Sequence, residues 1–435
     1  MTGPHFIPSR LDNVEDAQEY RPGGLHPISI GDTFVGGRYK VIHKLGHGGS
    51  STVWMARDHL QDAPKGRVVT LKALRADVSS KAASDIPELI IPRLLAAVLP
   101  PSGDLQTIQD HFLVDGPNGT HRILISPFAG PSILAMYDSP GRVSGSRRLR
   151  ATLARRVARQ TATAVRHMHR AGIVHGDLTT SNILFRVADH VLKWSDAEIY
   201  AQLGSPETET VRTRSGAPVG PHAPAELVAP IENSTLTDSS LLQESVVIID
   251  FGQSYAIADS PSNHQSGTVI HYQSPEARFE RRAEVEADIW SLGCAIFEIR
   301  AGFPLFEPFL GSDVDILRQT VETLGKLPSP WWDSFEERTA WFDDQSGEPK
   351  SLEEQERAGS LLKAVRSSIR EKLRTVGVDD DLSYGDEGPM MEKCGTRMRE
   401  EEVELLGDLL EKMLKYRPQE RIGVGEVLEH PWFKM

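Results

Sequence analysis

Two short acidic segments in a fixed order constrain this chain more than any other feature. His175–Asn182 reads His-Gly-Asp-Leu-Thr-Thr-Ser-Asn and follows an apolar helical pattern. Ile248–Gly252 reads Ile-Ile-Asp-Phe-Gly, with its aspartate at the end of a β-branched run. Carboxylate and amide oxygens from two such loops can hold Mg²⁺, and a further carboxylate can receive the proton of an attacking hydroxyl. This set of side chains indicates phosphoryl transfer.

A glycine-rich segment upstream fits the same chemistry. It lies between Tyr39–Ile42 and Val53–Ala56, two runs that read as strands. Glycine lets a backbone fold over a polyphosphate without a Cβ in the way, although a lone segment of this kind could be an ordinary hairpin turn. Here it is followed by Val69–Lys72, a strand pattern that ends in lysine. The candidate nucleotide contacts are Leu45, Gly46, His47, Gly48, Gly49, Ser50, Ser51, Thr52, Val53 and Lys72.

These segments, in this order, resemble the motifs of eukaryotic protein kinases. The glycine loop departs from the kinase pattern at its third glycine, where Ser51 stands. The resemblance continues downstream, where Tyr272–Glu276, Asp288–Gly293 and Arg417–Ile422 match three later motifs. It implies an α+β, bilobal kinase fold with a β-rich N-lobe and a mainly helical C-lobe that carries two insertions.

The resemblance also implies catalytic roles. Asp177 would orient the substrate hydroxyl and take its proton, with Lys72 and Asn182 completing the catalytic set. Asn182 and Asp250 would hold Mg²⁺, and Lys72 would bind phosphate oxygens of ATP.

Glu88 is the candidate partner of Lys72, and the alternative is a surface glutamate in the first turn of a helix. Because proline disrupts a helix interior, this helix should begin near Pro87 and kink or end near Pro92. The predicted hinge contacts to ATP are Ser126, Phe128 and Ala129.

Three further residues have architectural roles in the resemblance. Glu276 and Arg421 should form an ion pair, and Asp288 should hold the backbone of the catalytic loop.

Within the kinases, the chain is similar to the SR-protein kinases, which are directed at arginine/serine-rich proteins, and to divergent fungal members in particular. The similarity lies in Glu19–Pro27, in Arg38–Gly46 and in Gly176, which replaces an arginine. A long spacer, some 67 residues between positions 182 and 250, also fits this family. The resemblance implies a serine/threonine kinase that uses ATP and Mg²⁺ on Arg/Ser-rich protein substrates.

Two departures leave other functions open. Thr179 stands where serine/threonine kinases have a lysine that contacts the γ-phosphate, and loss of one such contact typically costs about 10²–10³ in rate. The threonine expected to steady Asp177 falls on Val269, with Thr268 one residue early. An ATP-binding pseudokinase or scaffold and a small-molecule kinase are the alternatives.

Composition narrows the partners. The chain has 435 residues and a net charge of −13, which argues against direct nucleic-acid binding and suits a basic substrate. No apolar run is long enough to span a membrane, so no membrane association is expected. Cys294 falls in an apolar helical pattern, which favours a reducing compartment, cytoplasmic or nuclear. A monomer is expected.

Three acidic runs, Asp379–Asp381, Asp386–Glu387 and Glu400–Glu402, could attract an arginine-rich peptide. They could equally be solvated loops.

The chain divides into an N-terminal extension, two lobes and two insertions within the larger lobe. Ala151–Arg170 has a helical period that leads into His175. Much of the second insertion looks mobile. The predicted boundaries are 1–38 for the extension, 39–127 for the N-lobe, 128–435 for the C-lobe, and about 186–246 and 327–400 for the insertions.

Overall fold

The computed structural model describes residues 5–60, 66–98, 103–138, 145–259, 266–307, 311–383, 385 and 388–435. The chain forms two compact units. The first comprises Met1–Arg93, Leu105–Pro131 and Phe185–Gln243, and the second comprises Leu94–Asp104, Ser132–Leu184 and Glu244–Met435.

The first unit is built on a six-stranded antiparallel sheet with the order β1-β2-β3-β4-β6-β5. The apolar side chains of Val41, Trp54, Leu71 and Ile123 are buried in one cluster of this sheet. β-Branched and aromatic residues fit such a pleated, half-buried surface, which explains why these runs form strands. The strands of this sheet are β1 (Thr33–Phe34), β2 (Tyr39–Gly48), β3 (Ser51–Asp58), β4 (Arg67–Leu74), β5 (Asp110–Gly116) and β6 (Gly119–Pro127).

The remaining strands form two-stranded sheets, in which β12 pairs with β7, β11 with β8, and β10 with β9. Their bounds are β7 (Ile173–Val174), β8 (Ile183–Val187), β9 (Thr208–Thr210), β10 (Glu226–Val228), β11 (Leu242–Ile248) and β12 (Tyr255–Ala256).

Most of the regular secondary structure of the second unit is helical. At its centre, α8 is apolar on nearly every side and almost entirely buried, as expected of a helix surrounded by others. The helices are α1 (Ala76–Ser79), α2 (Pro87–Val98), α3 (Ile133–Tyr137), α4 (Ala151–Arg170), α5 (Asp196–Leu203), α6 (Asn233–Leu236), α7 (Pro275–Phe279), α8 (Val285–Ala301), α9 (Asp313–Leu324), α10 (Trp331–Ser334), α11 (Leu352–Arg357), α12 (Ile369–Thr375), α13 (Glu400–Met413) and α14 (Val424–Glu429).

The first insertion belongs to the first unit, whereas the boundaries taken from the sequence assigned it to the C-lobe. It shares a small core with the N-terminal extension, in which Phe6 and Tyr20 pack with Val211 and Leu227. These long-range apolar contacts decide where the insertion folds, and no local pattern in the sequence reports them.

Polar contacts attach both the first insertion and the N-terminal extension to the sheet. Asp196, the first residue of α5, accepts hydrogen bonds from Lys40 at 3.0 Å and from Arg57 at 2.8 Å. The Lys44 ammonium is fully buried and pairs with Glu15 of the extension.

The second insertion contains a packed aromatic core, which the sequence-based expectation of a largely mobile segment did not include. Trp331, Trp332, Phe335 and Phe342 are all buried and form one cluster. Aromatic side chains bury large apolar areas, which offsets the entropy cost of ordering the segment.

One residue in each of two acidic runs of this region has a structural role. The side chain of Asp380 is 4% exposed and bonds Arg148, which is 1% exposed, at 2.8 Å. Glu402 is buried against Arg300, at 2.9 Å, and Arg155, at 3.2 Å. The solvated-loop interpretation is therefore wrong for these two residues, while the run Asp386–Glu387 lies outside the described residues.

None of the described helices combines the length and the apolar character needed to cross a membrane.

Candidate active site

The catalytic loop follows α4 and β7 and is held by Asp288 of α8. One oxygen of Asp288 accepts the backbone N–H of His175 at 2.8 Å, and the other accepts that of Gly176 at 3.1 Å. Burial alone would raise the pKa of Asp288, but hydrogen bonds from His169 and His175 outweigh it and hold the pKa below its ordinary value. The predicted contact between Asp288 and the loop backbone is present.

Asp177 is oriented from both sides by its own loop. Its backbone N–H donates to Nδ1 of His175 at 3.2 Å, and Asn182 Nδ2 donates to the Asp177 carbonyl oxygen at 2.8 Å and to its Oδ2 at 3.1 Å. The second carboxylate oxygen, Oδ1, is buried and has no hydrogen-bond partner among the described residues. Burial and the charge of Asp250 raise the pKa of this carboxyl, against the opposing effects of His175 and Asn182. A fixed carboxylate with one open acceptor can receive a hydroxyl proton.

Asp250 lies on the segment that runs beside Asn182. The N–H of Ile249 donates to the Asn182 carbonyl oxygen at 3.0 Å, and Nε2 of His175 lies 3.2 Å from the Ile249 carbonyl oxygen. Asp250 has a φ of 63°, a left-handed conformation that non-glycine residues adopt rarely and that concentrates at functional sites.

The oxygen donors of this loop pair fit Mg²⁺. They comprise the Asp250 carboxylate and the Asn182 amide oxygen, since the bonds from Asn182 to Asp177 are both donated by the amide nitrogen. Hard cations prefer oxygen ligands of this kind. The unsatisfied Oδ1 of Asp177 adds a further acceptor to the same loops.

Gly176 is required by the fold of the loop. Its φ is 77°, and a Cβ at this position would lie 2.6 Å from the Gln253 carbonyl oxygen. Other kinases have an arginine at this position. In this chain an arginine would have to adopt the positive φ and would clash with the Gln253 carbonyl oxygen.

We therefore expect Gly176→Ala to lower the melting temperature and kcat more than Gly172→Ala does. Both glycines have positive φ, which costs a non-glycine residue about 1–2 kcal/mol, but a Cβ at Gly172 would have no atom within 4 Å. Thermal melting and peptide-kinase assays of the two variants measure the difference. Equal losses would show that the Gln253 contact is not restrictive.

Thr268, and not Val269, contacts the catalytic loop. Its Oγ1 donates to the Gly176 carbonyl oxygen at 2.6 Å, whereas the Val269 side chain is about half exposed. The threonine therefore steadies the loop through the backbone one residue before Asp177. Thr179 is buried.

The predicted ion pair of Glu276 and Arg421 is present and bidentate, with both N–O distances at 2.7 Å. Arg421 also donates to the Glu286 carbonyl oxygen at 2.7 Å, so its guanidinium joins the start of α8 to α7.

Sequence reasoning missed a buried network behind the loop. Glu298 of α8 accepts hydrogen bonds from Thr180 Oγ1, at 2.8 Å, and from the Tyr272 hydroxyl. Burial raises the pKa of Glu298, while these two hydroxyls oppose the rise. A lone carboxylate within the apolar run of α8 was the available signal.

The glycine loop of the first unit is a hairpin in which β2 and β3 pair as far as Gly48 and Ser51. A Cβ added at Gly46, Gly48 or Gly49 would have no atom of the described residues within 4 Å. The packing of the protein itself therefore does not require glycine there, and the open cradle fits a phosphate chain.

The other predicted loop residues divide by burial. Ser51 and Thr52 are buried, and Thr52 Oγ1 accepts a hydrogen bond from Trp54 Nε1 at 3.0 Å, so the Thr52 side chain is engaged within the protein. Leu45 and Val53 are half-buried, whereas His47 and Ser50 are exposed.

Lys72 and Glu88 are brought together as predicted, with Nζ and Oε1 3.4 Å apart. Glu88 lies in the first turn of α2, which begins at Pro87. Pro92 does not end the helix, which continues to Val98.

The hinge segment runs from the end of β6. Ser126 is 5% exposed, and its Oγ accepts a hydrogen bond from Gln106 Nε2 at 3.1 Å. Phe128 is buried, and Ala129 is half-buried.

The resemblance places Ser126 beside the adenine, where its small side chain would leave room, and on that basis we expect ATP analogues with bulky base substituents to bind the wild type. Ser126→Phe should weaken their binding by at least about tenfold through overpacking. Competition against labelled ATP measures this effect, with Ser126→Ala as the control that adds no volume. Equal affinity of the wild type and the Phe variant would mean that Ser126 does not face the adenine.

Comparison with known proteins agrees with this geometry. A sequence model of the protein kinase domain matches residues 39–219 and 234–433. The serine/threonine-protein kinase SRPK of Physarum polycephalum is 26% identical over 439 residues, which cover 96% of this chain and 91% of that protein. Protein kinase dsk1 of Schizosaccharomyces pombe is 25% identical, with 75% of this chain and 73% of that protein covered. SRSF protein kinase 3 of Homo sapiens is 30% identical over 45% of this chain and 34% of that protein.

Proposed function

Because the chain belongs to the protein kinase family and to its SR-protein kinase branch, we propose that it transfers the γ-phosphate of ATP to serine hydroxyls in Arg/Ser-rich proteins. The observation that carries the proposal is the Asp177 carboxylate. It is oriented by Asn182 through Oδ2 and keeps Oδ1 as an open, buried acceptor.

The residues of the chain have separate tasks in this reaction. Asp177 accepts the proton of the serine hydroxyl as the oxygen attacks phosphorus, and its raised pKa makes it a better base than a solvated aspartate. Lys72 binds phosphate oxygens, and Glu88 keeps its ammonium in place. Asn182 and Asp250 would hold Mg²⁺, which when bound neutralises phosphate charge.

A pseudokinase is the weaker proposal for this chain. Thr179 removes one cationic contact, but the base, the metal-holding oxygens and the Lys72–Glu88 pair are all present. Loss of one preorganised contact slows a reaction without abolishing it. The kinase should therefore be active, with a modest kcat.

The proposed preference for arginine-rich substrates rests on the relatives and on the net charge of −13. A net negative protein attracts a cationic peptide and raises its encounter rate. The attraction does not come from Asp380 or Glu402, because both carboxylates are neutralised by buried arginines.

The test is incubation of the purified chain with γ-labelled ATP, Mg²⁺ and an Arg-Ser repeat peptide. Acidic and proline-directed peptides serve as competitors, and Asp177→Asn is the inactive control. Transfer to the Arg-Ser peptide with the highest kcat/KM supports the proposal. Transfer without preference leaves a kinase of another specificity, and no transfer to any peptide overturns the proposed function.

A further inference from the structure

The chain contains the Arg-Ser dipeptide twice, and the two copies lie in different surroundings. They are Arg214–Ser215 in the first insertion and Arg366–Ser367 in the second. We propose that Ser215 is a self-phosphorylation site of this kinase and that Ser367 is not, an inference that rests on the proposed function.

Ser215 lies at the exposed tip of a turn whose base is anchored. Thr213 pairs with Phe6 of the extension, and Thr213 Oγ1 donates to the Ala217 carbonyl oxygen at 2.6 Å. The tip itself is held weakly, since both hydrogen bonds of Ser215 Oγ, to Thr213 Oγ1 and from the Ala217 N–H, are 3.4 Å long. The hydroxyl can leave this turn at little cost.

The turn also presents two cations beside the acceptor. Arg212 and Arg214 are exposed, and within the described residues neither guanidinium forms an ion pair. They are therefore available to carboxylates of the net-negative catalysing chain before transfer and to the new phosphate after it, since arginine binds both anions with charge-assisted hydrogen bonds.

Ser367 belongs to the same dipeptide but is tied into the fold. Its backbone N–H donates to the Glu322 carbonyl oxygen at 3.2 Å, and Arg366 Nη1 donates to the Val321 carbonyl oxygen at 3.1 Å. The next residue, Ser368, caps α12 in a reciprocal pair of hydrogen bonds with Glu371. To reach an active site, this segment would have to give up these bonds and the helix cap.

The transfer step is that of the proposed reaction. Ser215 Oγ bonds to the γ-phosphorus of ATP, the bond from that phosphorus to the bridging oxygen breaks, and ADP leaves. The hydroxyl proton moves to the Asp177 carboxylate of the catalysing chain.

The experiment uses the full chain, treated with phosphatase and then incubated with Mg·ATP, with phosphosites mapped by mass spectrometry. An Arg-Ser repeat peptide is assayed in parallel. Phosphate on Ser215 should exceed that on Ser367 by at least about tenfold and should be absent from Asp177→Asn. Arg212→Gln combined with Arg214→Gln should lower labelling at Ser215 by about tenfold, whereas Arg10→Gln, an exposed arginine of the same unit, should not.

The other outcomes distinguish failure of the Ser215 site from failure of the proposed kinase function. If the peptide is labelled but Ser215 is not labelled above Ser367, the self-phosphorylation site is wrong and the kinase function stands. If neither is labelled, the proposed function falls with it. Label on Ser215 of Asp177→Asn incubated alone would assign the site to another kinase.

Discussion

Asp177→Asn is expected to lower kcat for the Arg-Ser peptide by about 10²–10⁴-fold, the usual contribution of a general base. The amide keeps the shape of the carboxylate and can still accept the hydrogen bond from Asn182, but it cannot take a proton. Binding of ATP should change little, because Asp177 carries no predicted contact to the nucleotide. Steady-state kinetics gives the change in kcat, and a separate binding measurement shows whether ATP affinity is unchanged. Asp189→Asn, an exposed aspartate after β8, is the matched control.

The same carboxylate predicts the direction of the pH dependence. Asp177 is active in its ionised form, and its pKa is raised. As the pH is lowered, kcat/KM should therefore begin to fall earlier, at a higher pH, than it would with an aspartate of ordinary pKa. A raised pKa also means that the folded state favours the neutral carboxyl, so the ionised form destabilises the protein above that pKa. Asp177→Asn should therefore melt no lower than the wild type at neutral pH. A marked loss of stability would indicate a structural role instead.

Asp380→Ala is expected to lower the free energy of unfolding by about 3–5 kcal/mol, the effect of leaving one partner of a buried ion pair unpaired. Arg148 would keep the carbonyl oxygens of Gly145 and Thr396 as acceptors, but neither neutralises its charge. Asp380 also accepts the Gly395 N–H at 2.6 Å, which would lose its partner. Denaturant unfolding of the purified variant measures the loss.

Asp379→Ala is the control, because Asp379 is the adjacent member of the same acidic run and is exposed. It should change stability by no more than about 0.5 kcal/mol. If both substitutions are equally mild, the Arg148–Asp380 pair contributes nothing and the run is a solvated charge cluster. The contrast also shows that neutralising all three aspartates at once would test folding and not substrate docking.

The sequence was sufficient for those parts of the site that depend on residue type at short spacing. The order of the loops, the set Asp177, Asn182 and Asp250, and the strand lysine all follow from local segments whose chemistry is fixed by their side chains. The protein kinase fold follows as well, because strand and helix patterns surround each segment in the expected order. Long-range pairs were predictable only where the resemblance named both partners, as with Lys72 and Glu88.

Tertiary structure decided which of several equivalent residues are buried. Asp379 and Asp380 are neighbours with the same side chain, yet only the second meets an arginine 232 positions away. Gly176 and Gly172 both have positive φ, but only Gly176 faces the Gln253 carbonyl oxygen.

The same limit applies to the insertions and to the two Arg-Ser dipeptides. The first insertion folds with the extension because Phe6 and Tyr20 pack against Val211 and Leu227, contacts that no local pattern contains. Ser215 is exposed, while Ser367 is tied to the Glu322 backbone. Local sequence thus determined which groups this chain has for chemistry. Burial and partner choice, which depend on residues far apart in the chain, decided which of those groups are free to act.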